Sequence, residues 1–496
     1  MERLCRCCVV LRVTLIAGVS FGLMNGLAGH PDYRLFSVPI EVRDLPSDAE
    51  FVPLSTGIDL SELVQRVGGA GVPDERSIRL YSVGPDGSEA EEPVQFAAAA
   101  QPPAEKRMLL PSTSTSVSYS AEFAAGETPS SGRVAGDLAW IARSARQAAK
   151  QTYRLQFGVL KSGVVVQVPY PPNNFRAFDQ DARATPLARF PRMQIRPQQP
   201  IEGRFELLAS GEVLTAYRIG PGVEALAGTL PFRRPFFYPV NGPDGVSLTE
   251  FGKPHDPTGS HAHHYSLWIA HADVSGHDFW SERGGVIAHD GFAEITDGPV
   301  FSRFVQKTKW IDRGKTILLE RRTVTAHATP DSFRALDLDL EFTSGDEGPV
   351  TFGKTSFGFL AARVTQSISP FDGGGEIINS VGDRNEQNAH LKHAAWIDQS
   401  GPIAVGKVGG IALLDHPANP HHPGGWHCRN DGWAGAAFNM DAPFVLESGK
   451  TLRLRYRILL HRGDSTGGEV ARRFREFAAT PSVAVGLPRA LEGNGR

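Results

Sequence analysis

Imidazole changes charge near neutral pH and is the commonest metal ligand, so the placing of histidines is where chemistry is sought first. Seven of the sixteen histidines fall in one stretch, HDPTGSHAHHYSLWIAHADVSGHDFWSERGGVIAH, namely His255, His261, His263, His264, His271, His277 and His289. A second run, DHPANPHHPGGWHCR from Asp415 to Arg429, adds His416, His421, His422 and His427. If HAHH is extended, His261 and His263 share a face and His264 points away, a spacing that suits two metal ligands or two substrate contacts. No HExxH occurs, so the zinc-protease pattern is absent. The plain alternative is a polar loop of solvated histidines.

Other side chains extend the two clusters. Trp268 and Trp280 in the first run and Trp426 in the second offer flat apolar faces for a sugar ring, although each taken singly reads first as a core tryptophan. Glu320 and Arg322 in ILLERRTVT either orient a substrate hydroxyl or form a cross-strand ion pair. Lys354 in FGKTSFG lies between glycines, as a ligand-approaching residue would. Cys428 is a ligand, a nucleophile or a small buried thiol. No GxGxxG opens a helix anywhere in the chain. Our expectation is one site in which His263, His264 and His271 face His416, His422 and His427 as acid/base groups, with Trp268, Glu320, Lys354, Trp426 and Arg429 on the substrate. Imidazoles so crowded repel when protonated, so some must have lowered pKa values or share a metal. For a divalent metal the ligands would be His261, His263 and His422.

The elements that position these residues read as β. The chain has 496 residues with 53 Gly and 36 Pro, enough for two domains and suited to many strands joined by tight turns. FRALDLDLEFT alternates, with Leu336, Leu338, Leu340 and Phe342 on one face and Asp337, Asp339 and Glu341 on a solvated one. TLRLRYRILLH does the same through Leu452, Leu454, Tyr456 and Ile458. We expect an all-β chain, a large antiparallel β-sandwich over 204–478 preceded by a smaller β-rich module over 30–168, with a linker at 169–203 and a tail at 479–496. Within the module, IDLSELVQRV is a short helix or a bulged strand, and Leu138–Lys150 is its best helix. A terminal helix buries a stripe of Val470, Phe474 and Phe477. No histidine lies between Pro31 and Val168, so a chain starting near Pro200 is expected to fold and keep the site.

Residues 1–28 resemble a secretory signal: Arg3, Arg6 and Arg12, an apolar run from Val13 to Met24, then Gly26 and Ala28 at the cleavage positions. A membrane anchor is the alternative, but the run is shorter than the roughly 20 residues a span needs. Cleavage would remove Cys5, Cys7 and Cys8 and leave Cys428 alone, so stability would come from core size rather than cross-links. The formal net charge of −3 gives no reason to expect nucleic acid as a partner.

The segments RRPFFYPVNGPDG (Arg233 to Gly245), HAHHYSLWIAHADVSGHDFW, FGKTSFGFLAARV, GGGEIINSVG and GIALLDHPANPHHPGGWHCR, with LRLRYRILLH, together resemble a bacterial family labelled "methane oxygenase PmoA", over about Arg204 to Ala478. That family's HPHHRG-like run reads HAHHYS here, without the proline and the arginine. The resemblance implies an exported, galactose mutarotase-like supersandwich, a fold shared by sugar epimerases, lyases and hydrolases. Three functions follow as expectations. One is an exported carbohydrate-active lyase or hydrolase acting on a glycan or small sugar. The others are a histidine-ligated copper oxygenase, as the label implies, and a non-catalytic glycan-binding protein. No nucleic acid and no membrane span are expected.

Overall fold

The computed structural model describes residues 33–98, 133–144, 150–160, 193–198, 203–223, 231–253, 261–346 and 348–491. The leader-like residues 1–28 and most of the expected linker lie outside them. Contacts divide the chain into two compact units: Met1–Ser47, Leu54–Ala188 and Pro481–Arg496 form one, Asp48–Pro53 and Arg189–Thr480 the other. The fold is all-β, and every strand ladder in the two large sheets is antiparallel. Among the described residues no helix is long and apolar enough to cross a membrane.

The smaller unit centres on strand Tyr33–Arg43, paired along its length with Lys150–Leu160. The expected tail is not free: Ser482–Val485 and Arg489–Ala490 both pair with that strand. The helix expected over Leu138–Lys150 is instead a strand, Ala135–Ala142, paired with Val94–Ala98. Leu138 to Ala142 are all buried, so this apolar run packs on both faces, which a short strand permits and an amphipathic helix does not. Residues 145–149 lie outside the described structure. Leu60–Arg66 is a helix, and its N-cap Asp59 accepts from the Glu62 N–H.

The larger unit is the expected supersandwich. An eight-stranded sheet runs Val286–Thr296, Phe301–Asp312, Lys315–His327, Phe333–Ser344, Leu452–Arg462, Lys407–Asp415, Trp396–Ala404 and Glu376–Asn379. A nine-stranded sheet runs Lys392–His393, Gly425–Arg429, Trp433–Ala437, Gly358–Arg363, Leu267–His271, Phe236–Val240, Glu212–Arg218, Arg204–Ala209 and Met193–Pro197. Met193–Pro197 is thus an edge strand rather than linker. The alternating strands place Leu336, Leu338, Leu340, Phe342, Leu452, Leu454, Tyr456 and Ile458 in the core between the sheets. On the far face Asp337 pairs with Arg457 and Asp339 with Arg453, so the acidic row is laced with arginines rather than merely solvated.

The terminal helix, Val470–Ala478, buries Val470, Arg473 and Glu476. Phe474 and Phe477 are half-buried instead of forming an inward stripe. The polar face is explained by Asp48–Pro53. Glu476 accepts the backbone N–H of Glu50 and of Phe51, at 2.7 and 3.1 Å, and Arg473 pairs with Glu476 at 2.9 Å. Phe51, 1% exposed, packs edge-on against Phe333 and His327.

Candidate functional site

The nine-stranded sheet has two apolar faces. Its inner face meets the other sheet; its outer face carries a separate buried cluster of Val223, Phe232, Phe236, Tyr265, Trp268, Ala270, Trp280, Ala361 and Trp433. Strand alternation decides which histidines reach the outer face. In LWIAH, Leu267 and Ile269 enter the inner core while Trp268 and Ala270 face outward. In GWHCR, Trp426 and Cys428 enter the inner core and His427 lies opposite. Register aligns Trp268, Ala361, Gly435 and His427 in one row across four strands. Gly435 is required by what lies over it: a Cβ there would come 3.0 Å from the Trp433 ring and 3.5 Å from the Ala361 methyl.

Imidazoles border this row at both ends. HAHH is a turn, closed by the His264 N–H donating to the His261 carbonyl at 3.0 Å. Instead of splitting the rings between two faces, it gathers all three, with centroids 4.4 Å apart for His263 and His264 and 5.1 Å for His261 and His264. His264 stacks on Trp268 at 5.3 Å and meets Trp433 at 5.2 Å. Trp433 in turn lies 4.3 Å from His427, which lies 4.7 Å from His390. Trp280 touches Trp268, Trp433 and Phe357. Phe357 is 41% exposed and meets His427 at 4.8 Å, while Ser356 in the same loop lies 3.1 Å from His427 Nδ1.

Charge is arranged behind the rings. Arg363 is fully buried, donates to His264 Nδ1 at 2.9 Å and to the Asp431 carbonyl at 2.7 Å, and pairs with Glu250. Asp431 also pairs with His261 and lies 3.9 Å from Lys253. Arg234, buried against the Tyr265 ring, donates to the Trp280 carbonyl at 2.5 Å and the His263 carbonyl at 3.3 Å. Tyr265 donates to Glu282, whose carboxyl is pushed up by burial against the opposing pull of Arg234. Burial, then Arg234 and His261, lower His263 to about 4. Burial, then His263 and Arg363, hold His264 well below the ordinary value. Burial, then His390 and Arg429, bring His427 to about 4. These rings are therefore neutral at pH 7, each with one donor and one acceptor nitrogen.

The expected constellation is only half assembled. His261, His263, His264, Trp268, Trp280 and His427 share the outer face. Arg429 adjoins it, paired with Glu386 at 2.8 Å, and Lys354 is exposed in the loop that carries Phe357. His271 faces the inner core instead: Leu267 and Ile269 flank it there, and it bonds Asn439 at 3.1 Å against Phe352 and Phe359. Trp426 is an inner-core residue whose indole donates to the Ala394 carbonyl. Glu320 and Arg322 are both fully buried, neighbours two apart on one strand rather than a cross-strand pair, with Trp310, Thr308 and Tyr217 completing the network. His416 and His422 pack against the terminal helix, on Phe477 and Phe474, and His422 bonds Asp415 at 2.7 Å. No hydrogen bond or ring contact joins either to the outer-face imidazoles among the described residues. The ligand set of His261, His263 and His422 is therefore not assembled, and among the described residues no group of three or more His, Cys, Asp or Glu is placed to hold a metal ion. Cys428 is a buried free thiol whose pKa burial pushes up to about 12, a packing residue rather than a nucleophile. His255 lies outside the described residues.

Arg363, Trp433, His390, Asp431 and Glu250 were not singled out from the sequence. One signal was available for Arg363: it is the only charged residue in the strand GFLAAR.

Fold and site together define a two-sheet antiparallel supersandwich protein with an aromatic and imidazole face on its larger sheet. The family model described as "Family of unknown function (DUF6807)" matches residues 204–475, and the chain belongs to that family. This corrects the resemblance to the methane oxygenase PmoA family: the motifs that carried it all fall within the DUF6807 match. No curated protein matches the chain. Among solved structures, a glycosyl hydrolase family 38 protein from Enterococcus faecalis aligns over 95% of this chain and 50% of its own, at 7% identity and TM-score 0.38. An alpha-mannosidase from Enterococcus faecalis V583 aligns over 95% and 48%, at 8% identity and TM-score 0.38. A GalM/aldose epimerase homologue from C. elegans aligns over 55% and 99%, at 8% identity and TM-score 0.23. The chain spans about half the length of the two Enterococcus proteins. At these scores the likenesses assign no activity to this chain.

Proposed function

We propose that this protein is an exported carbohydrate-active enzyme, lyase- or hydrolase-like, that works on a glycan across the outer face of the nine-stranded sheet. The observation that carries the reading is the largely buried cluster of Trp268, His264, Trp433 and His427 rings over the outer face, with Phe357 exposed at its edge. Sugar rings present flat C–H faces that pack on aromatic rings, and hydroxyls that both donate and accept. Neutral imidazoles do both in return. Arg363, buried behind His264, would stabilise negative charge developing on a substrate oxygen, because a fixed charge in a water-poor site needs no reorganisation. Glu282, its carboxyl held toward the protonated form beside Tyr265, is the candidate proton donor. The leader-like segment 1–28 supports action after export, and the N-terminus of the protein from its host should then lie near Gly29.

A non-catalytic glycan-binding protein is the second reading. What favours it is that His263, His264 and His427 are held neutral far below pH 7, which suits hydrogen bonding better than proton transfer. Turnover separates the two: the purified chain is incubated with a glycan panel while reducing ends and unsaturated products are followed. Product from at least one glycan supports the enzyme. Binding without product supports the second reading, and neither binding nor product on any glycan overturns both.

A further inference from the structure

Two imidazoles at opposite ends of the row have their tautomers set by the protein. Arg363 has no acceptor, so its contact with His264 at 2.9 Å requires the guanidinium to donate and Nδ1 to accept. In neutral His264 the proton then sits on Nε2. His390 Nδ1 lies 2.9 Å from the Cys428 carbonyl, which cannot donate. His390 must therefore carry a proton on Nδ1, and in the neutral ring Nε2 holds a free lone pair. Neither Nε2 has a partner among the described residues. One end of the row thus holds a fixed N–H, on a ring 2% exposed, and the other a fixed acceptor on the half-buried His390.

We propose that this polarity orients the ligand: an oxygen that only accepts, a carboxylate or a carbonyl, lies at His264, and a hydroxyl donates to His390. The preferred ligand class is accordingly a sugar acid or keto sugar, entered in one direction. This rests on the carbohydrate reading above and refines it. Arg363 is the positioning residue. It is itself held by Glu250 and by the Asp431 side chain and carbonyl, so its geometry is over-determined. The charged and titratable groups facing His264 are His261, His263, Arg363 and Arg234, and with burial all disfavour protonation, which keeps the ring in its single donor form. At the other end Ser356 and Phe357 hold His427 beside His390.

The test reads the tautomers directly, without any substrate. Full-length protein labelled with nitrogen-15 histidine is examined by long-range proton–nitrogen correlation of the rings, with His264 and His390 assigned by signals lost in H264Q and H390Q. We expect His264 as the Nε2–H form and His390 as the Nδ1–H form at pH about 7 to 8, above the ordinary histidine pKa. Arg363→Met should release His264 into a mixture of tautomers, and Arg363→Lys, which still donates, should restore the single form. If Arg363→Met fails to fold, the wild-type spectrum alone decides. A mixture at His264, or the opposite form at either ring, overturns the proposal. D-glucuronate and D-glucose are then titrated separately as probes. A shift of the His264 Nε2 signal with glucuronate and a weaker one with glucose supports the ligand class. A stronger response to glucose, or none to either, overturns that class. Failure of the turnover panel with the tautomers as stated would count against the carbohydrate reading and leave the fixed tautomers standing.

Discussion

His427 lies with its ring centroid 4.3 Å from that of Trp433, and through this indole the second histidine run joins the first. Phe357 bridges them a second time, touching both Trp280 and His427. His416 and His422, only a few positions earlier in the chain, turn to the terminal helix and serve the fold there.

Substitutions at the two places should therefore behave differently. His422→Ala removes the ring that bonds Asp415, whose side chain is 3% exposed. Asp415 keeps its bonds from Asn419 and from the Gly424 N–H, so the cost should be about 1–3 kcal/mol of stability. Urea unfolding should show this cost while glycan affinity is unchanged. His264→Ala and Trp433→Ala should instead weaken binding at least tenfold.

Gly435 gives a sharper test of the row. Adding a single methyl at Gly435→Ala puts a carbon 3.0 Å from the Trp433 ring, so the indole must shift by a few tenths of an ångström. Gly435→Val should displace it further and cost about 1–3 kcal/mol, as overpacking does. Binding should fall in the order wild type, Gly435→Ala, Gly435→Val, and near-ultraviolet dichroism should report the moved tryptophan. Unchanged binding in the valine variant would mean that the Trp433 ring is not part of the ligand surface.

Acid should destabilise the fold before its carboxylates titrate. His263, His271, His416 and His427 are each lowered from 6.5 to about 4, and His264 is held well below its ordinary value, by burial first. The unfolded chain takes up protons at these sites first, so their stabilising contribution is full above about pH 6.5 and is lost progressively as pH falls toward 4. His461, raised by Asp398 against its own burial, has the opposite sign: its contribution is full below about 6.5 and fades as pH rises through its folded value. Urea midpoints between about pH 4 and 7 should fall with acid, and less steeply in His271→Asn. A flat profile would contradict the buried neutral rings.

Phe51 makes truncation informative. A chain starting near Pro200 was expected to fold from the histidine count alone, but it lacks Asp48–Pro53, which belongs to the larger unit. Removing it leaves Glu476, 1% exposed, without its two backbone donors and uncovers Phe333. Phe51→Ala should cost about 3–5 kcal/mol, the usual range for a buried phenylalanine. A chain starting at Asp48 should be markedly more stable to heat than one lacking Asp48–Pro53; equal melting temperatures would show that these six residues contribute nothing.

Much of the fold was legible because period-two patterning needs no partner to be read. The rows Leu336 to Phe342 and Leu452 to Ile458 face the core as their alternation says. The site was less legible, because a strand's pattern does not say which of two apolar faces is the core. Trp268 and Trp426 look alike in sequence, yet register turns the first outward and the second inward. HAHH misled for the opposite reason: it reads as extended and folds as a turn. Arg363 and His390 come from strands and loops far from either run, so only tertiary pairing brings them to it.

The most direct measurement is glycan binding by calorimetry, on the best ligand of the panel, with the wild type, His427→Ala and His422→Ala compared side by side. The outer-face site predicts that His427→Ala loses at least tenfold in affinity and that His422→Ala, once shown to be folded, binds as the wild type does. Loss of binding in His422→Ala with full affinity in His427→Ala would place the site at the terminal helix and contradict the account.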